Sequence, residues 1–226
     1  MAVTSNETAN TFLFADLAGF TALTEAMGDE EAADLVGDFY LAASDLLPQY
    51  EAEQIKAIGD AVMIRANQAA QGVRLGLRIV NEIGGRHSFP SVRVGMDTGH
   101  AVERNGDWFG ATVNTAARIS GVAAGGEVLL SEATRDAAGT IDGVSLRERG
   151  RRSLRNVGEP IVLYEAVQEG ESNHEGLPID PVCRMAVDPD HSAGRLSHEG
   201  VEYHFCSLAC AGKFAAAPDR YAKGGH

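Results

Sequence analysis

The sequence predicts an α+β fold, an antiparallel-rich sheet with helices on one face, followed by a small cysteine-containing β/α unit. Three observations predict it. The larger N-terminal part reads in the order strand, helix, hairpin, helix, strand, which does not suit a doubly wound parallel sheet. A polar stretch without apolar periodicity, QEGESNHEG, then opens a linker over residues 168–177. All three cysteines, Cys183, Cys206 and Cys210, lie beyond it. With 226 residues and 44% apolar content the chain can bury one ordinary core over residues 1–167 and a small second one over residues 178–226.

The elements follow from local pattern. TFLFADL, residues 11–17, is apolar and aromatic and reads as a buried strand that delivers Asp16 to its C-terminal edge. LTEAMGDEEAADLVGDFYLAASDLLPQY keeps a helical face through Leu35, Phe39 and Leu46 until Pro48. In QIKAIGDAVMI, residues 54–64, Ile55 and Ala57 alternate before Gly59-Asp60, and Val62 and Ile64 after it. That pattern is a β-hairpin, because Gly supplies the backbone angles of a tight turn and Asp tolerates them. NQAAQGVRLGLRIVNEIGG repeats Val73, Leu77 and Val80 at helical spacing and stops at Gly84-Gly85. After Pro90, SVRVGMDTGHAVER alternates like a strand pair. GATVNTAARISGVA reads as a short helix with Asn114 and Arg118 on one face. Further strands and a short helix in GGEVLLSEATRDAAG and GVSLRERGRRSLRNVGEPIVLYEAV complete the domain near residue 168.

A formal charge of −13 argues against nonspecific nucleic-acid binding and against attraction to anionic membranes, both of which rest on clustered cations. The one basic cluster, RERGRRSLR from Arg147 to Arg155, is short and suits a local anion site. Acidity also implies that a phosphate substrate would come with a metal. The start, MAVTSNETANTFLFADLAGF, has neither the basic opening nor the long apolar core of a signal peptide, and no run of eighteen apolar residues occurs, so the expected location is the cytoplasm. An odd cysteine count fits no disulfide framework.

FADLAGFTALTE, IKAIGDAVM and GDWFGATVNTAARI, in this order, resemble the class III nucleotide cyclases over residues 11 to about 166. The resemblance implies a βαββαβ core related to the ferredoxin-like arrangement and a head-to-tail homodimer with active sites between subunits. Asp16 and Asp60 would hold two hard cations, Mg²⁺ or Mn²⁺, through oxygen. Lys56 and Asp107 match the purine-reading positions. A Lys donor with an Asp acceptor is complementary to N1 and the 6-amino group of adenine, whereas guanine presents the opposite pattern, so ATP is the expected substrate. Asn114 and Arg118 match positions that orient the ribose and stabilise charge on the α-phosphate, a task suited to the fixed donor fork of Arg. Arg155 stands where many bacterial relatives carry a Lys before a Gly and is assigned to the β- and γ-phosphates; Asn156 departs from that Gly. The stretch from Gly99 to Asp107 is shorter than in vertebrate cyclases. Alone, each of these residues has a plainer reading, as a turn acid, a cap or a solvated cation; in combination they fit one site.

DPVCRMAVDPDHSAGRLSHEGVEYHFCSLACAGKFAAAPDRY, residues 180–221, resembles the YHS family of small metal-associated modules. Cys206 and Cys210 at a strand-to-helix transition, with Cys183 arriving from a turn, could supply thiolates to Zn²⁺ or Cu⁺. The fourth ligand is open among His204, His198, water and another subunit. Arg184 replaces the usual Gly of DPVCGM. A core too small to stand alone favours a metal staple, and three buried free cysteines are the alternative. The expected whole is an adenylate cyclase forming 3′,5′-cyclic AMP and pyrophosphate, with a metal- or redox-responsive C-terminal module. The alternatives are a guanylate cyclase and a non-catalytic metal-handling scaffold on a cyclase-like dimerising fold.

Overall fold

The structure is a computed structural model that describes residues 9–86, 89–170 and 177–222. The chain opens with β1 (Asn10–Leu17), α1 (Phe20–Met27), α2 (Asp29–Leu46), the hairpin β2 (Ala52–Ile58) and β3 (Ala61–Ala66), α3 (Ala69–Arg78) and β4 (Val92–Gly99). These are the expected βαββαβ elements, and they lie in the sheet order β2-β3-β1-β4 with every pair antiparallel. The sheet continues through β7 (Val128–Ser131), β9 (Ile161–Gln168) and β8 (Val144–Arg152) to seven strands, and only β4 with β7 is parallel. Of the linker expected over residues 168–177, residues 171–176 lie outside the described residues.

Helices cover both faces of the sheet, not one. On β1, Leu13, Ala15 and Leu17 point into a core shared with Phe39 and Ala43 of α2 and Val73 and Leu77 of α3. Phe12 and Phe14 point to the opposite face, where Val113 and Ala116 of α4 (Ala111–Val122) cover them. Gly95 of β4 permits this second layer: a Cβ there would stand 1.9 Å from the backbone nitrogen of Ser120 in α4. Two further expectations change. The long helix breaks at Gly28, whose φ of 98° suits only Gly, and α2 restarts with Asp29, Glu30 and Glu31 at the positive end of its dipole. The strand pair expected in SVRVGMDTGHAVER does not form; β5 (Val102–Arg104) pairs instead with β6 (Asp107–Phe109) in a separate ribbon turned by Asn105 and Gly106, both at positive φ.

The C-terminal module, a hairpin of β10 (Gly194–His198) and β11 (Val201–Phe205) with α6 (Leu208–Ala216) and α7 (Pro218–Tyr221), has no separate core. Val182, Met185, Phe205 and Phe214 pack with Leu23 of α1 and Ala32 of α2. Backbone pairing of Pro90 with Met185 adds a second attachment. Shared burial of this kind supplies part of what so small a unit lacks, so the need for a staple no longer argues by itself for a metal.

One basic residue of β8 serves the fold. Arg149, at a bulge in the strand, is paired with Glu127 (2.8 Å) and Glu165 (3.1 Å). Gly95→Ala forces α4 off the sheet and is expected to cost about 3 kcal/mol or more; a urea midpoint within a few tenths of wild type would contradict that packing.

Candidate active site

Asp16 ends the buried run of β1, and Asp60 occupies the second place of the two-residue turn that joins β2 to β3. Register places Asp16 opposite Ala61, so the turn acid arrives beside it, and the amide of Leu17 donates to the carbonyl of Asp60 at 3.3 Å. Burial pushes the Asp60 carboxyl up to about 6, with the neighbouring Asp16 charge adding to the shift and Arg93 opposing it. Two acids that repel each other, partly out of water, could hold hard cations through oxygen. Asp16 is not free to move: Arg93 of β4, directly across the register, donates Nε at 2.8 Å and also Nη2 to the same oxygen, Oδ2, so Arg93 leaves Oδ1 unengaged. The Tyr40 hydroxyl of α2 donates to the carbonyl of Gly59 and ties the turn to the helix layer.

Lys56 and Asp107 meet: Nζ lies 2.7 Å from Oδ2, and the contact holds the Asp107 carboxyl below its usual range. A β-bulge makes this possible. The register of β2 on β3 slips between Gln54 and Lys56, so that Lys56 stands opposite Met63 on the α4 face of the sheet. Without the extra residue Lys56 would pair with Val62 and point into the opposite core. Asp107 is presented by the β5–β6 ribbon, and its Oδ1 accepts from the amide of Trp108. Asn114 and Arg118 are both exposed on one face of α4, as the four-residue spacing requires. Arg155 is exposed in the turn between β8 and β9, and Asn156 beside it has φ 62°, the left-handed conformation that Asn tolerates best after Gly. Among the described residues no hydrogen bond or ion pair joins Asn114, Arg118 or Arg155 to the two acid-bearing groups.

In the C-terminal module Cys183, Cys206 and Cys210 converge as expected, with Sγ of Cys206 3.3 Å from that of Cys183 and 3.9 Å from that of Cys210. The fourth member is Asp180: the four ligand atoms lie within 4.8 Å of one another. Its carboxylate, wholly buried, accepts from the amides of Val182 (2.8 Å), Cys183 (3.4 Å) and Cys206 (2.9 Å), and so fixes both cysteine-bearing segments. Cys210 is held well below the usual thiol range by hydrogen bonds from Cys183 and Cys206, which favours a thiolate. Neither histidine joins the cluster. His204 faces Glu202 (3.2 Å), with its buried Nδ1 unpartnered among the described residues, and His198 packs edge-on against Phe214 and faces Asp219 (3.4 Å).

Two functional residues escaped the sequence reading, Arg93 and Asp180. Arg93 acquires its meaning from a partner 77 positions away in sequence. Asp180 had a local signal, since an Asp whose side chain accepts from backbone amides two and three residues on is the mark of an Asx turn.

The raised Asp60 value sets the sign of a pH effect on the metal-free protein. Its contribution is fully present below pH 3.8, where the carboxyl is protonated in both states, and is lost as the pH rises through about 6. Asp60→Asn removes that loss. In the presence of a chelator the variant is expected to exceed wild type by about 1 kcal/mol at pH 7.5, a value discounted for the half-exposed turn, and to match it near pH 4. Urea titrations at both pH values decide it; parallel stability curves would contradict the placement of Asp60 beside Asp16.

Comparison with known proteins accords with this geometry. The family description "Adenylate and Guanylate cyclase catalytic domain" matches residues 3–165, and "YHS domain" matches residues 179–224. A pH-sensitive adenylate cyclase of Mycobacterium tuberculosis is 39% identical over 157 residues, 68% of this chain and 39% of the relative. A copper-transporting P-type ATPase of Rhizobium leguminosarum is 55% identical over 51 residues, 23% of this chain and 6% of the relative. The chain thus spans well under half of these curated relatives. Among solved structures, an adenylate cyclase of Trypanosoma brucei in its monomeric state superposes with a TM-score of 0.66 over 74% of this chain and 91% of that one, at 22% identity, a likeness of fold. The chain belongs to the adenylate and guanylate cyclase catalytic domain family and carries a YHS domain after the cyclase domain.

Proposed function

We propose that the chain is a homodimeric adenylate cyclase that converts ATP to 3′,5′-cyclic AMP and pyrophosphate, with its metal-responsive C-terminal module fused after a linker over residues 168–177. The observation that carries this reading is the Lys56–Asp107 pair at 2.7 Å. A donor and an acceptor already opposed at that distance are spaced to separate around the N1 and 6-amino edge of adenine, and they mismatch guanine. Exposed Ile58, Val102, Phe109 and Val122 lie on β2, the β5–β6 ribbon and α4, the elements that bear the base readers and the Asn114–Arg118 face, and they support burial against a second copy.

Asp16 and Asp60 would hold two Mg²⁺ or Mn²⁺ ions, which lower the pKa of the ribose 3′-hydroxyl and bind the triphosphate. Arg93 holds Asp16 in its orientation through two hydrogen bonds to Oδ2. Asn114 orients the ribose, and Arg118 from the same helix face directs its donor fork at the α-phosphate, where charge gathers as the 3′ oxygen bonds to phosphorus and the bond to pyrophosphate breaks. Arg155 neutralises the departing β- and γ-phosphates. Because Lys56 and Asp107 occupy each other before substrate arrives, part of the binding energy is spent on parting them.

Cyclic AMP formation from ATP with Mn²⁺ is expected to fall at least about a hundredfold in Asp60→Ala. In Lys56→Glu, kcat/KM for ATP is expected to fall more than that for GTP. A folded, dimeric wild type that turns over neither nucleotide would overturn the enzymatic reading, and a preference for GTP would overturn the base assignment.

The Asp180, Cys183, Cys206 and Cys210 cluster is assigned to a soft or borderline cation, Zn²⁺ or Cu⁺. Addition of Co²⁺ to the reduced chain is expected to give the intense near-ultraviolet band of thiolate-to-cobalt charge transfer, weakened in Cys206→Ser. A wild-type spectrum without the band would leave the cysteines as buried thiols.

A further inference from the structure

The cysteine-bearing turn of the C-terminal module sits against the two segments that frame Asp16. On one side is the connection from β1 to α1, residues 17–20. Gly19 there has φ 78°, and a Cβ added to it would stand 2.7 Å from Cβ and 2.4 Å from Cγ of Arg184. These are the near atoms of a side chain whose backbone is fixed, since the Arg184 amide donates to the Asp180 carbonyl at 2.8 Å. On the other side, the Ala186 amide donates to the Phe89 carbonyl at 3.3 Å, and Pro90 pairs with Met185. The two flanking segments are themselves joined, Ala18 amide to Ser91 carbonyl at 2.8 Å, next to the Asp16–Arg93 pair. Residue 184 therefore forms a wall of the turn that leads out of Asp16.

Its backbone adds a second observation. Arg184 holds φ 68°, a conformation costly for a side chain with a Cβ and natural to Gly. A fold that tolerates this cost at a position where the side-chain stem packs on a glycine of the catalytic loop is using the stem.

We propose that Arg184 is a positioning residue for the cyclase reaction: its aliphatic stem, packed on Gly19, fixes the course of residues 17–20 and with it the place of the Asp16 carboxylate at the metal pair. The inference rests on the reading of Asp16 and Asp60 as metal ligands. Lys213 Nζ of α6 reinforces the contact from the far end of α1, where it caps the carbonyls of Glu25 (3.2 Å) and Ala26 (3.0 Å). With both ends of α1 held, the Arg184 stem is the side chain of the module that meets Gly19.

The test uses the full chain and 3′-deoxy-ATP, which lacks the attacking hydroxyl, with Mn²⁺ binding followed by loss of its free electron-paramagnetic signal beyond that caused by the nucleotide alone. Arg184→Gly is expected to raise the Mn²⁺ concentration at half saturation about threefold or more. Its unfolding temperature is expected to hold or rise, because Gly adopts φ 68° without strain. Arg184→Lys, which keeps the methylene stem, is expected to restore wild-type binding. With ATP itself, the Gly variant should lose kcat at subsaturating Mn²⁺ and regain it at excess. Unchanged half saturation in Arg184→Gly overturns the proposal, as does a loss matched by a fall in unfolding temperature or a failure of Lys to rescue. Equal Mn²⁺ binding by wild type and Asp60→Asn would instead remove the underlying metal reading, and the proposal with it.

Discussion

Everything at the catalytic edge depends on the register of β1. The strand is hydrogen-bonded on both sides, to β3 and to β4, and it places Asp16 between Ala61 and Arg93. A slip of one residue would send Asp16 into the apolar layer beneath α2 and α3 and bring Leu17 to the surface that needs a carboxylate. Such a slip is prevented by two cores at once. Leu13, Ala15 and Leu17 are buried in one, and Phe12 and Phe14 in the other. Burying the four large ones, Leu13, Leu17, Phe12 and Phe14, at about 1.5–3 kcal/mol each outweighs the cost of setting one acid beside another. Repulsion between Asp16 and Asp60 is thus imposed by packing, and Arg93 offsets part of it.

Elements whose partners are near in sequence were readable, as were positions that match a family pattern. The β2–β3 hairpin shows this: alternation around Gly59-Asp60 specifies both the turn and the acid that ends it. The βαββαβ order could likewise be read, as could the approach of Cys206 to Cys210 at a strand-to-helix transition. What could not be read depends on an extra residue or a distant contact. A bulge at Ile55 turns Lys56 to the other face of the sheet, and nothing in QIKAIGD marks it. The second helical layer requires Gly95 to meet Ser120, a contact between positions that no local window connects. The β5–β6 ribbon differs: Asn105-Gly106 is a strong short hairpin signal, and the longer alternation of SVRVGMDTGHAVER competes with it.

The same physics explains the two departures from family pattern that stood out in the sequence. Asn156 and Arg184 both replace Gly, and both lie at positive φ, 62° and 68°. Asn meets that demand with little cost because its short polar side chain interacts with its own backbone. Arg lacks that short polar side chain, so the two substitutions are not equivalent. One preserves a turn at an exposed site; the other retains a strained backbone to place a long side chain against a neighbouring domain.

That difference bears on why a sulfur cluster would be fused to a cyclase at all. Asp180 accepts from the amides of both cysteine-bearing segments, and Cys183 is adjacent to Arg184, so a cation that draws the sulfurs together acts on the turn that touches Gly19. A stiff connection is what such a device needs, because a displacement at the sulfurs is transmitted only if nothing between them and Asp16 yields. The apolar cluster of Leu23, Ala32, Met185, Phe205 and Phe214 provides that stiffness, and the paired backbones at Pro90 and Met185 close the second side. With cations at both sites, coupling by this route would be reciprocal: whatever the metal pair gained from a well-placed Asp16, the sulfur cluster would gain in affinity with the nucleotide bound.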